Sequence, residues 1–348
     1  MQPFFVRHIC IIVSERRLLS KAKTFTNNAM LIAPTLTHPA LFRRALVLAC
    51  ITLCLAPLRA QTAPAAGNTT TTPAATAPAA SKSFECVGEA IYEHIFSGDL
   101  NSGATGKMRT DRFAIGLQHT EDWTDDHLAL TLGYSYENYS FSGTQSPFSN
   151  VQKLGADVLY SHDFKPDWGA FAFLSAGHSA ETATSLNDGG QFAFAAGPSY
   201  NFSKVLTLSA GPMYYSRMED DNTWTIMAQA KWLFLPQWEL RAYAGIVNGV
   251  TVSYDVFGNK ATVADASLEY NSRWFRLRDT PAGKAAVNES DGTLKFGVRQ
   301  ALNQNVFVRG YLSYVFSREY QFHVNGNSAN SFNVDSSWGL GLEIGVVY

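Results

Sequence analysis

The chain has 348 residues and a formal net charge of −2, but its charges are unevenly distributed. Eight of the 27 Lys and Arg residues precede Gln61, and only one of the 29 Asp and Glu residues does, so the rest of the chain carries a net charge of −9. This acidic balance argues against a nucleic-acid-binding protein, which would present a basic surface.

The first 82 residues are interpreted as leader and tail. Residues 30–60 have a basic start at Arg43 and Arg44, a short apolar run and a small-residue cleavage site before Gln61, which is the pattern of a signal peptide. Residues 1–29 are interpreted as an over-extended start. Residues 61–82 are almost all Ala, Thr and Pro, and are predicted to be a disordered tail. Removal of the leader leaves Cys86 as the sole cysteine, so we expect no disulfide and no paired-cysteine metal site.

From residue 83 onward the sequence shows no helical period. Apolar and polar residues alternate instead, in segments about as long as the 9–11 residues that a tilted strand needs to cross a membrane. The clearest segment, 127–137, places Leu128, Leu130 and Leu132 on one face and Thr131 on the other. Residues 169–177 are apolar on both faces, so the direction of their side chains is not assigned.

Turn signals separate these segments. Asn248-Gly249 is the strongest short hairpin signal, and Pro198 and Pro212, in two similar Ala-Gly-Pro stretches, predict local bulges. Short turns alternate with mostly longer connections, as in outer-membrane barrels. Fourteen strands are predicted, or twelve if the short 238–256 hairpin is miscounted.

The last segment, 334–348, has one apolar and one small, polar face. It resembles the closing strand of bacterial outer-membrane β-barrels, and this resemblance implies an assembly signal for the barrel-assembly machinery. The apolar face consists of Trp338, Leu340, Leu342, Ile344, Val346 and Tyr348. The alternative is an edge strand of a soluble sandwich. The near-absence of charge at mid-strand on the proposed outer faces, and aromatic residues such as Trp224 and Trp232 that bracket them, favour the barrel.

The resemblance covers residues 83–348. Trp238-Glu239-Leu240, Tyr254-Asp255 and Ser272-Arg273-Trp274-Phe275-Arg276-Leu277 are similar to segments of an uncharacterised barrel family. The expected fold is therefore all-β: a transmembrane, antiparallel, up-and-down β-barrel in the bacterial outer membrane. The resemblance implies no activity or cofactor.

Strand parity predicts a charged lumen. Charges of both signs need water or partners, so the lumen is either a wet pore or plugged by salt bridges, and a fourteen-stranded barrel is wider than one that side chains alone fill. The residues predicted to line the lumen are Arg112, Lys153, Asp157, Lys231, Glu239, Arg241, Asp255, Asp265, Glu269, Arg273, Lys295, Arg299, Arg309 and Glu343.

These patterns favour a channel for passive diffusion of small hydrophilic solutes. The alternative is a non-conducting structural or surface-interaction barrel that acts through its outer loops. An enzyme is not expected, because none of the histidines after residue 83 has a partner at metal-ligand spacing. Outer-membrane lipid and lipopolysaccharide are expected partners. Parity places Arg276, Arg278 and Arg318 above the outer aromatic girdle, where arginine matches the geometry of lipid phosphates.

Overall fold

The structure is a computed structural model that describes residues 83–102, 105–182, 184, 188–218, 222–278 and 283–348. The predicted leader and tail lie outside these residues. The described residues form fifteen strands: β1 (Ser83–Asn101), β2 (Lys107–Asp122), β3 (Asp126–Ser142), β4 (Asn150–Asp163), β5 (Trp168–Glu181), β6 (Gly190–Ser203), β7 (Leu206–Tyr215), β8 (Thr223–Leu235), β9 (Trp238–Ala244), β10 (Val247–Asp255), β11 (Thr262–Arg276), β12 (Ala285–Ala301), β13 (Val306–Val324), β14 (Asn327–Val334) and β15 (Ser337–Val347). They include no helix long and apolar enough to cross a membrane.

The strands close into a barrel. From β1 to β14 each strand pairs antiparallel with its neighbours in sequence, and β15 pairs with β13 and β1. β14 and β15 together form one wall position, because both pair with β13 and β1 on either side of a break at Asp335 and Ser336. The wall therefore has fourteen strands, as predicted. Closure gives every strand two neighbours, which a sheet in lipid requires.

Side chains alternate between the outer and the inner face of the barrel along each strand, and this alternation determines which of them face lipid. Along β3, Leu130 is 38% exposed whereas the next residue, Thr131, is 2% exposed. The outer face carries exposed apolar and aromatic side chains on most strands, for example Leu174, Ile226 and Phe296. The end that carries Tyr348 has the shorter turns, so we call it the periplasmic end and the other the extracellular end.

The Asn248-Gly249 turn prediction is wrong. Both residues lie within β10, and the chain turns at Gly245 and Ile246, where the Asn248 side chain accepts a hydrogen bond from the Gly245 N–H at 3.2 Å. The Asn-Gly turn of this chain is instead Asn325-Gly326, between β13 and β14, where both residues have positive φ (48° and 81°). Positive φ at both central residues is what the type I′ hairpin demands.

The bulges predicted at Pro198 and Pro212 do not form. The pairing of β6 with β7 is interrupted at the two prolines. Ala195 pairs with Met213 before the interruption and Ser199 pairs with Ser209 after it, so the register is the same on both sides of the interruption. This register brings the two glycines of the Ala-Gly-Pro stretches face to face. A Cβ on Gly211 would lie 2.0 Å from the carbonyl oxygen of Ala196. The repeated motif is thus explained by a close approach of two backbones.

The barrel changes shape towards its extracellular end. The β9–β10 hairpin ends at Gly245 and Ile246, whereas β11 continues to Arg276 and there pairs in parallel with Ala180 of β5. The strands β6 to β10 therefore add no strand pairing at the mouth, although Gln191 of β6 donates to the Trp274 carbonyl oxygen and Met218, after β7, packs against the Trp274 side chain. The mouth is narrower than the rest of the wall because fewer strands form it.

Candidate functional site

All fourteen charged residues that the sequence predicts to line the lumen lie at inward-facing strand positions. The register shows this directly, since Arg112 lies opposite Glu137, Arg273 opposite Glu289, and Arg309 opposite Glu343. Most outer positions next to them in sequence are apolar, whereas Asp111, Gln152 and Ser272 are polar. Within the lumen, however, these residues fall into groups with different surroundings.

The first group lies towards the extracellular end, and we call it the upper ion cluster. It comprises Arg112, Lys153 and Arg273 together with Glu93, Glu137, Glu289 and Asp291. Arg112 Nη2 lies 3.1 Å from Glu289 Oε1, Arg273 Nη2 lies 3.4 Å from the same oxygen, and Lys153 Nζ lies 2.7 Å from Glu137 Oε1. Arg273 also pairs with Asp291. The cluster joins four acids and three bases with almost no access to water.

The four acids of this cluster are absent from the sequence-based set. Parity along residues 127–137 already indicated Glu137, because it continues the inward series of Thr131 and Ser135. Glu289 and Asp291 lie in the first part of β12, which begins at Ala285, where no apolar alternation marks a strand in the sequence. Strands that continue beyond the membrane carry no lipid-facing apolar row, so the alternation that marks a spanning strand fades there.

An aromatic roof covers the upper ion cluster; it comprises Tyr139, Phe148, Phe275, Tyr320 and Phe332. The hydroxyls of Tyr139 and Tyr320 donate to the Glu289 carboxylate at 3.0 and 2.9 Å, which couples the roof to the cluster. Phe148 is buried at its centre, with ring centroids 5.1 Å from Tyr139 and 5.2 Å from Phe275. Phe148 belongs to the β3–β4 connection and not to the wall.

Glu181, the last residue of β5, holds this connection in place. Its Oε1 accepts hydrogen bonds from the backbone N–H and the hydroxyl of Ser149, both at 3.1 Å. Its Oε2 accepts the backbone N–H of Arg278 at 3.2 Å, just beyond β11. One carboxylate therefore joins the roof-bearing loop to the closed mouth.

A second contact ties the neighbouring loops. Lys284 Nζ lies 3.0 Å from Asp188 Oδ1, and this hydrogen bond holds the pKa of Asp188 below its usual range. The contact links the β5–β6 connection to the β11–β12 connection, outside the membrane-spanning part of the barrel.

The second group lies nearer the periplasmic end, and we call it the lower charges: Lys231, Glu239, Arg241, Asp265, Arg309 and Glu343. Arg309 holds Asp265 with two hydrogen bonds, Nε to Oδ1 at 3.0 Å and Nη2 to Oδ2 at 2.6 Å, and reaches Glu343 Oε2 at 3.3 Å. Lys231 and Arg241 share Glu239. These pairs are more open to solvent than the upper ion cluster.

The remaining predicted residues lie along the same inner wall. Lys295 Nζ is 3.6 Å from Glu269 Oε2, and the Arg299 guanidinium lies over the Phe307 ring. Asp255 accepts the Lys260 backbone N–H near the periplasmic end. Asp157 lies apart on β4.

The prediction that three arginines face lipid is wrong for Arg276 and Arg318, which are both buried. Arg318 is 2% exposed and donates to the Ser337 hydroxyl inside the barrel. The pairing of β12 with β13 shifts by one residue between Ser290 and Gly292. The irregularity on β13 is at Ser317, which has a positive φ of 50°, so the residues of β13 from Arg318 onward point to the opposite face from the one that strict alternation predicts. Arg276 is 1% exposed, where β11 meets β5. Arg278 is exposed, but its guanidinium donates to the carbonyl oxygen of Thr182.

The last strand has the predicted two faces. Trp338, Leu340, Leu342, Ile344 and Tyr348 are exposed on the outer face, and Val346 shares their parity. Gly341 and Gly345 face the lumen, where the rings of Tyr311 and Phe307 lie against them. The role of this strand as an assembly signal stays a prediction.

Several histidines pair with carboxylates. His94 Nδ1 lies 2.7 Å from Asp111, His162 Nδ1 lies 2.8 Å from Asp126, and His119 Nε2 lies 3.1 Å from Glu121. Among the described residues, no three His, Cys, Asp or Glu side chains come together in a way that could hold a metal ion.

The closed wall, the outer apolar face and the charged interior define a transmembrane β-barrel of the outer-membrane type. No family model matches the sequence, and no curated protein matches it, so the similarity to an uncharacterised family stays a sequence-based interpretation.

Solved structures match the fold. The COG4313 outer membrane channel from Pseudomonas putida F1 is 12% identical with a TM-score of 0.45, over 76% of this chain and 95% of that one. A deltaS2 mutant of the TodX monoaromatic hydrocarbon channel is 8% identical with a TM-score of 0.38, over 77% and 90%. The KdgM porin is 11% identical with a TM-score of 0.28, over 73% and 97%. At these values the likeness concerns the fold and not the substrate.

Proposed function

We propose that this protein is a bacterial outer-membrane channel for passive diffusion of small hydrophilic solutes, closed at its extracellular end in this conformation. The observation that carries the proposal is the placement of Phe148. The centre of the closure is a side chain from a loop, whereas the charged lumen below it is part of the wall. A loop can move away while the barrel stays intact, and wall charges such as Arg241 and Glu239 then select the solute.

The test is conductance in planar lipid bilayers. We expect small or rare steps from the wild-type protein and larger or more frequent steps from Phe148→Ala, because the substitution opens the roof. Phe164→Ala, at an exposed aromatic residue of a periplasmic turn, is the matched control and should behave as wild type. A folded barrel that conducts neither as the wild-type protein nor as the Phe148→Ala variant contradicts the proposal.

A second function, a non-conducting structural or surface-interaction barrel, is favoured by the burial of the upper ion cluster. Glu137, Glu289 and Asp291 have fully buried side chains, as expected for a permanent plug. In that case Phe148→Ala should lower stability without producing conductance. The same pair of measurements therefore separates the two functions.

A further inference from the structure

Asp157 lies on the inner wall of β4, and no charged side chain of the described residues pairs with it. It is 1% exposed, and neither carboxylate oxygen makes a hydrogen bond of normal distance and angle, although the Ser175 hydroxyl lies beside it on β5. The nearest inward base on its own strand, Lys153, is bound to Glu137. A buried carboxylate without a partner is costly, and either protonation or a bound positive charge relieves that cost.

Asp157 belongs to a polar row that crosses four adjacent strands. The register pairs Gln118 with Thr131, Thr131 with Asp157, and Asp157 with Ser175. All four side chains are buried, and each has an oxygen without a hydrogen-bond partner: Gln118 Oε1, Thr131 Oγ1, Ser175 Oγ and both carboxylate oxygens of Asp157. Directly opposite residues have Cβ atoms about 4.5–5.5 Å apart, so the oxygens of Thr131 and Ser175 can converge with the Asp157 carboxylate on one small group, and Gln118 lies one strand further away.

The row is bounded by apolar residues. Beyond Gln118 the register continues to Val87 on β1, and beyond Ser175 it continues to Ala193 on β6. The oxygens thus form a confined patch and not part of a continuous polar wall. The patch offers one negative charge, carbonyl and hydroxyl oxygens, and no second carboxylate, whereas Ca²⁺ sites commonly use several carboxylates. One positive charge balances it.

We propose that Asp157, together with Thr131 and Ser175 on the two adjacent strands, binds a small monovalent cation, either a free ion or the ammonium group of a solute. The oxygens replace part of the hydration shell of the cation, as carbonyl and carboxylate rings do in ion-selective channels. The inference depends on the proposed channel only for the statement that this site lies on the solute path. If solutes pass the site, small positively charged solutes are the preferred class. Binding itself requires no conduction.

The experiment measures thermal unfolding of the folded barrel in detergent at constant ionic strength. The three salts are potassium chloride, methylammonium chloride and N-methylglucamine chloride, whose cation is too bulky for the patch. We expect potassium or methylammonium to raise the unfolding temperature of the wild-type protein by about 2–4 °C over N-methylglucamine. A larger rise with potassium identifies the free ion, and a larger rise with methylammonium identifies the ammonium group.

Asp157→Asn keeps the shape of the side chain and removes the charge, so it should fold and lose the cation-dependent rise. Ser175→Ala removes one oxygen and should reduce the rise. Asp265→Asn, at an acid that is paired with Arg309, is the matched control and should keep it. Equal unfolding temperatures of the wild-type protein in all three salts, or an undiminished rise in Asp157→Asn, overturns the proposal. Conductance of Phe148→Ala without any cation effect would remove this site and leave the channel proposal standing.

Discussion

The upper ion cluster and the lower charges are built from the same residue types on the same wall, but they differ in their contact with water. The side chains of Glu137 and Glu289 are 0% exposed, whereas those of Glu239 and Arg241 are 18% and 24% exposed. Each acid of the upper cluster meets more than one base or hydroxyl, as Glu289 does with Arg112, Arg273, Tyr139 and Tyr320. Glu239 meets two bases at a more open position.

This difference decides what the charges can do. A dry cluster holds strands together only while every member is satisfied, because an uncompensated buried charge costs far more than an exposed one. A wetted pair can exchange its partner for water or for a passing solute at little cost. The upper cluster therefore has the properties of a closure, and the lower charges have those of a selective wall.

The largest expected effect comes from removing one acid from the dry cluster. Glu289→Ala removes one of the acids that Arg112 and Arg273 share and the acceptor of the Tyr320 hydroxyl, and we expect the free energy of unfolding to fall by about 3–5 kcal/mol. Glu239→Ala is the matched control among the lower charges, with an expected loss of about 1 kcal/mol or less. Urea titration of barrels folded into lipid vesicles measures both. Equal losses would show that the two regions do not differ in this way.

An intermediate effect is expected at Arg309, whose guanidinium makes two hydrogen bonds to Asp265. Arg309→Lys keeps the charge but loses the paired geometry, and we expect a loss of about 1–2 kcal/mol. The reverse change, Lys231→Arg, concerns a longer contact, 3.8 Å from Nζ to Glu239 Oε2, and should have little effect. The same urea titration applies. An unchanged free energy of unfolding in Arg309→Lys would mean that the positive charge, and not the paired hydrogen-bond geometry, stabilises this position.

The sequence predicted the barrel and the inward positions of its charged residues because side chains alternate strictly along a strand. A single irregularity defeats that argument. Strict alternation places Arg318 on the outer face, and the irregularity at Ser317 moves it to the inner face. A register shift of one residue moves every later side chain to the other face.

Other features depend on contacts that no local pattern records. Phe148 lies in a connection without periodicity, and its burial follows from aromatic side chains on the preceding strand β3 and on three distant strands, β11, β13 and β14. The two Asn-Gly pairs look alike in sequence. At Asn325-Gly326 the flanking residues Val324 and Asn327 pair with each other across a hairpin, whereas Asn248-Gly249 lies inside a strand. The isolation of Asp157 likewise follows from where the bases of other strands find their partners.

The smallest expected effect is a difference in salt dependence, and it separates the two regions without changing the fold. At about 1 M salt the Debye length is about 3 Å, so charges in contact with solvent are strongly screened while buried pairs are not. We expect the loss caused by Glu239→Ala to fall towards zero when the urea titration is repeated at about 1 M sodium chloride. The loss of unfolding free energy caused by Glu289→Ala should persist, because the groups that bind Glu289 stay buried, where salt does not screen their charges. If both losses shrink together, water and ions reach the upper ion cluster, and the extracellular end is open in solution.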